Sequence, residues 1–168
     1  MGKRHHSRRM ALQVLYAREY QEESPETISR RLVDSTEISK SYWNPFCKEL
    51  VERTIEDRES LDREIVNALE HWRIERLSKV DHIILRLALC EMRAFRDIPI
   101  RVTLNEYIEL AKQFGTDDSS AFVNGILDRL SKQFADKDFD QKDGAPPPDS
   151  IRKTLESETE SKSNSSDS

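Results

Sequence analysis

Residues 98–130, I-P-I-R-V-T-L-N-E-Y-I-E-L-A-K-Q-F-G-T-D-D-S-S-A-F-V-N-G-I-L-D-R-L, read as helix, tight turn, helix. Thr103 and Glu106 have the spacing of a capping box, in which each side chain satisfies a backbone donor near the other residue. Leu104, Ile108, Leu110 and Ala111 recur at helical spacing and give one apolar face. Gly115 falls where a helix commonly ends in a left-handed residue, a conformation glycine adopts without a Cβ clash. Asp118 or Ser119 is placed to cap the second helix, whose apolar stripe is Ala121, Phe122, Ile126, Leu127 and Leu130. Gly125 lies inside that helix, where glycine costs roughly 1 kcal/mol against alanine. The spacing therefore predicts a close approach of another backbone at Gly125.

The rest of the chain supports an all-α fold. Charged residues make up 35% of the 168, mean hydropathy is −0.77, and Gly and Pro are few; such a composition favours helices over strands. No run approaches the ~20 apolar residues of a membrane span. The N-terminus is basic without an apolar segment behind it, unlike a signal peptide. Cys47 and Cys90 sit in apolar helical patterns and read as reduced core residues of a cytoplasmic protein.

Residues 1–6 read as a flexible basic arm, with Ser7 capping a first helix that runs to about residue 21. Ala11, Leu12, Val14 and Leu15 are its apolar face. A short helix over 26–34 follows Pro25 and turns Ile28 and Leu32 inward. Asn44-Pro45 is a cap and first-position proline, opening a helix with Cys47, Leu50, Val51, Thr54 and Ile55 on one side. Polar residues 57–59 mark an end or a bend, and Ile65, Leu69 and Trp72 continue as a stripe to about residue 71. Residues 73–78 form a turn. The helix over 79–95 is the most apolar and belongs at the centre, with Asp97 and Pro99 stopping it. A helical domain thus spans 7–135. Residues 136–168 hold nine acids against five bases, many serines and a Pro146-Pro147-Pro148 break. They read as a disordered acidic tail.

Charge is uneven within the net −5. Residues 1–18 carry Lys3, Arg4, Arg8, Arg9 and Arg18 and no acid. Arg8 and Arg9 at a helix start oppose the helix dipole, an arrangement suited to an anion rather than to the helix itself. Tyr16 and Tyr20, four apart, either stack on a base or rim the core. Catalytic chemistry finds no support. The glycines cannot build a phosphate loop, the histidines and cysteines have no metal-ligand spacing, and no serine or cysteine has a nucleophile context. No cofactor or metal is implied. Binding has three converging features: the basic start, the turn over 113–119, and Phe122 at the start of the last helix. Competing readings are plain core packing for Phe122 and an N-cap for Asp118.

The stretch N-E-Y-I-E-L-A-K-Q-F-G-T-D-D-S-S-A-F-V-N-G-I-L-D (105–128), preceded by P-x-x-V-x-x-N-E, resembles the C-terminal signature of the NusB family of bacterial transcription antitermination factors. Two further blocks fit the family in order, R-H-H-S-R-R-M-A-L-Q-V-L-Y (4–16) and V-D-H-I-I-L-R-L-A-L-C-E-M (80–92). The resemblance implies about seven helices, arranged as two three-helix groups plus an N-terminal helix, and no enzymatic activity. It implies binding of single-stranded boxA RNA from ribosomal RNA leaders with a small-subunit ribosomal protein, NusE. The complex would load onto the RNA polymerase elongation complex with other Nus factors, without a membrane. Carried over by position, the RNA residues are Arg4, Arg8, Arg9, Tyr16, Gln113, Phe114, Asp118 and Phe122. Glu75, Arg76 and Asp81 would meet the partner protein. His5 and His6 stand where the family commonly has arginine, Arg9 where it has an acid, and Cys90 where it has an aromatic. A protein-only adaptor, or a regulatory domain serving an rRNA methyltransferase, would share the fold without reading RNA sequence. The RNA reading requires that the cationic start and the Gly115 bend share one face.

Overall fold

Small polar residues and prolines set the helix starts. Ser24 accepts from the Thr27 amide ahead of Pro25, Asn44 accepts from the Cys47 amide ahead of Pro45, and Ser78 accepts from the Asp81 amide. Each satisfies one of the donors a helix start leaves free. The computed structural model describes residues 2–138. It contains seven α-helices and, among these residues, no strand. They are α1 (Lys3–Arg18), α2 (Pro25–Ser35), α3 (Pro45–Glu56), α4 (Arg58–Ala68), α5 (Lys79–Ala94), α6 (Ile100–Phe114) and α7 (Ser119–Ser131). Short 3-10 turns occupy Lys40–Tyr42, Ile74–Arg76 and Lys132–Asp138. Of the acidic tail expected over 136–168, residues 136–138 belong to the last 3-10 turn and residues 139–168 lie outside the described residues.

The central helix is α5. Every residue from Ile83 to Met92 is buried, as expected of a helix enclosed on all sides. It packs against α1, α3, α4, α6 and α7. Cys47 and Cys90 are both buried and free. Burial pushes their thiols up to about 12 and about 11, so both behave as small apolar core residues.

Five local expectations are corrected. The first helix begins at Lys3, not Ser7. Ser7 is buried, and its hydroxyl accepts from Asn44 Nδ2 at 2.7 Å. Packing against α3 therefore extends α1 through residues read as a loose arm. Thr103 lies inside α6, which starts directly after Pro99; its hydroxyl donates to the buried Glu91 carboxylate at 3.0 Å. Gly115 has φ −89° and is not left-handed. It is needed for space: a Cβ there would sit 2.4 Å from Ser119 Cβ and 2.7 Å from the Ala111 carbonyl oxygen. Gly125 is exposed and meets nothing within 4 Å, so no backbone approaches it. In α7 the buried stripe is Val123, Ile126, Leu127 and Leu130, leaving Ala121 exposed and Phe122 half-buried.

Candidate nucleic-acid interface

The cations of α1 have different fates because successive residues on a helix point about 100° apart. Arg8 points inward, and its side chain is 3% exposed. It grips the fully buried Glu91 carboxylate through Nε at 2.9 Å to Oε2 and Nη2 at 2.7 Å to Oε1. Thr103 donates to the same carboxylate at 3.0 Å and the Tyr107 hydroxyl at 2.8 Å. Burial alone would lower the Arg8 pKa, but Glu91 outweighs it, and the guanidinium stays charged. Burial first, then Glu91, raises the Tyr107 hydroxyl well above its ordinary value. Arg8 therefore cannot meet RNA, contrary to the sequence expectation. Glu91, the one acid within the buried stretch Ile83–Met92 of α5, is the sequence signal for an internal cation.

Arg4 and Arg9 face solvent. Arg4 lies 3.1 Å from Asp97 and 5.1 Å over the Phe46 ring. The Arg9 guanidinium sits 5.4 Å over the ring of Phe114, the last residue of α6. One turn earlier, His5 Nδ1 lies 2.5 Å from Glu106 Oε2. The cationic start and the end of α6 thus share a face, the condition the RNA reading required.

Beyond Phe114 the chain turns tightly. Gly115 packs on Ser119, whose hydroxyl accepts from the Thr116 amide at 2.9 Å. Asp118 occupies the cap position but makes no side-chain cap bond, and both it and Gln113 are exposed. Phe122 follows in the first turn of α7. Its ring meets Trp72 edge to face, centroids 6.0 Å apart. Tyr16, seven residues after Arg9 and so on the same side of α1, is 40% exposed and packs edge-on to Tyr20. A hydrogen bond to Tyr20 raises its hydroxyl pKa.

Of the residues expected to meet a protein partner, Glu75 and Arg76 are exposed in the 3-10 turn before α5. Asp81 is recessed, 9% exposed, and its buried Oδ1 makes no hydrogen bond among the described residues. A cleft of about 830 Å³ lies elsewhere, between the end of α1, the start of α2, the α3–α4 junction and α5, lined by charges of both signs. Among the described residues no three His, Cys, Asp or Glu side chains gather to hold a metal, and no helix is long and apolar enough to cross a membrane. The apolar spacing places Trp72 on a core stripe, but the ring is exposed. Helix α4 instead ends at Ala68 and Glu70 turns left-handed at φ 47°. No local sequence signal marks that turn.

The model of the NusB family matches residues 5–132. The chain belongs to the NusB family. It is 41% identical over 137 residues to the transcription antitermination protein NusB of Geobacter sulfurreducens, covering 82% of this chain and 99% of that one. The NusB of Pseudothermotoga lettingae is also 41% identical, over 80% of this chain and 95% of its own. A crystal structure of NusB from T. maritima superposes with TM-score 0.69 at 34% identity, over 83% of this chain and 98% of that one. A chain from a crystal of the antitermination factors NusB and NusE with double-stranded RNA matches with TM-score 0.67 at 26% identity, over 79% and 98%. The NusB fold is thus shared over the described region.

Proposed function

We propose that this chain is a transcription antitermination factor that reads single-stranded boxA RNA of ribosomal RNA leaders jointly with NusE, in the cytoplasm. Membership of the NusB family carries the antitermination role. The observation that supports RNA reading is the Arg9–Phe114 contact, which brings the cationic start of α1 to the turn leading into α7. Arg4, Arg9, Tyr16, Gln113, Phe114, Asp118 and Phe122 make up the RNA surface, without Arg8. Cations position the phosphates, and the aromatic rings accept unpaired bases. Glu75, Arg76 and the rim of Asp81 face NusE. The factor works by binding, not by catalysis, and it delivers the RNA to the elongation complex with other Nus factors.

A small basic patch on a chain of net charge −5 binds RNA weakly by itself, because affinity for a polyanion scales with the phosphates neutralised. A basic ribosomal protein that completes the patch raises the affinity. Titration of labelled boxA RNA at two salt concentrations, with and without NusE, tests this. Weak, salt-sensitive binding alone and tighter binding with NusE are expected; equal affinity in both series counts against it. Arg4→Ala with Arg9→Ala separates this reading from a protein-only adaptor, since only RNA binding depends on those cations.

A further inference from the structure

Trp72 is 57% exposed, although a tryptophan packed in a core removes some of the largest apolar area of any side chain from water. It is nevertheless held in place. The left-handed Glu70 at φ 47° reverses the chain after α4, and the Trp72 amide donates to the Leu69 carbonyl at 3.0 Å. From α7, Arg129 donates to the Ala68 carbonyl at 2.9 Å and lies 3.5 Å from Glu70. The turn carrying Trp72 is thereby fastened to the helix carrying Phe122. The two rings meet at 6.0 Å and 68°, close enough to serve neighbouring bases of one strand. Arg73, the next residue, is exposed as well. A fixed, half-solvated aromatic beside a cation, continuous with a base-stacking ring, matches how single strands are held without a base-specific code.

We infer that Trp72 is an RNA-stacking residue, which extends the base platform from Phe122 on α7 to the turn after α4 and takes an unpaired nucleobase of the same strand. The inference rests on the RNA reading proposed above. An exposed ring on this surface also suits a protein partner, and the test separates the two.

The chain has two tryptophans, Trp43 and Trp72. Trp43→Phe leaves Trp72 as the sole indole emitter, and this full-length variant is titrated with a short single-stranded boxA-type RNA, then with NusE, then with both. Quenching of Trp72 emission in step with RNA binding is expected. Trp72→Ala should lose on the order of ten-fold in RNA affinity, the scale of one base–aromatic stack, and Trp72→Phe should keep most of it. RNA that binds without changing Trp72 emission, with Trp72→Ala at wild-type affinity, overturns the inference and leaves the RNA function standing. Quenching by NusE alone, with Trp72→Ala losing NusE and not RNA, also overturns it and assigns the ring to the protein surface. Absence of RNA binding to the unsubstituted chain, with and without NusE, removes the function and the inference together. Should Trp72→Ala fail to fold, the emission titration of the Trp43→Phe variant still decides.

Discussion

A guanidinium and a carboxylate buried together have both given up their hydration, and removing either one strands the other in an apolar interior. Arg8 and Glu91 stand in that position, with Thr103 and Tyr107 completing the carboxylate's hydrogen bonds. Arg8→Met should cost roughly 3–5 kcal/mol of stability, read as a lowered urea midpoint. Arg9→Ala should leave the urea midpoint within about 0.5 kcal/mol, as is usual for surface changes, while weakening RNA binding. If Arg8→Met melts like the unsubstituted chain, the ion pair is not structural. A joint substitution of Arg4, Arg8 and Arg9 would confuse unfolding with lost RNA contact, so Arg8 must be tested apart from its neighbours.

Within elements, two glycines make opposite predictions. At Gly115 a methyl group would overlap the Ala111 carbonyl of α6 and the side chain of Ser119, the first residue of α7, both fixed by their helices. Gly115→Ala should destabilise by about 1–3 kcal/mol, the usual cost of overpacking. At Gly125 a methyl group meets open space on an exposed helical position. Gly125→Ala should stabilise by roughly 0.5–1 kcal/mol through helix propensity. Thermal melts of the two variants check both signs. A stabilised Gly115→Ala would mean the turn relaxes around the added methyl. A destabilised Gly125→Ala would mean this face of α7 is covered in solution.

Across the whole molecule, a charged network ties α1, α4 and α5 together. Asp62 accepts from His82 and Arg86, each at 2.7 Å, and Glu19 pairs with Lys79 at 3.0 Å and Arg86 at 3.5 Å. Burial would raise the Asp62 and Glu19 carboxyls, but these partners outweigh it and hold both below their ordinary values. Burial lowers His82, and Asp62 offsets only part of that, so the folded state favours a neutral ring donating to Asp62. The signs agree. Unfolded His82 takes a proton first as pH falls below ~6.5, and the unfolded carboxyls do so first below ~4. Each group's stabilisation is present above its unfolded value and fades as pH drops through the folded one. Melting temperature should therefore fall on acidification, first shallowly and then steeply. His82→Gln should flatten the upper part of the curve. A melting temperature that rises from neutral toward acid pH would contradict this account.

The chain's helical character and most helix positions follow from local chemistry, which is why they could be read in order. Asn44-Pro45 caps and starts α3, the polar residues after Glu56 break α3 from α4, and the apolar run at 83–92 marks α5 as the centre. Each of these signals lies within a few residues of its effect. The motif order likewise gave the NusB family, because the signature is a run of neighbouring residues. The side of the molecule each functional residue serves was decided at long range. Arg8 went inward because Glu91, eighty-three positions later, had to be neutralised in the core. Thr103 served the same carboxylate instead of a helix cap. Gly115 was kept for the volume of Ser119, not for its dihedral freedom, and Trp72 came out to Phe122 because Glu70 reversed the chain after α4. Sequence determined which segments coil and which faces are apolar, since those depend on neighbours three and four residues away. Tertiary structure alone decided which charge is buried and which ring is left to solvent, because desolvation depends on everything packed around a group.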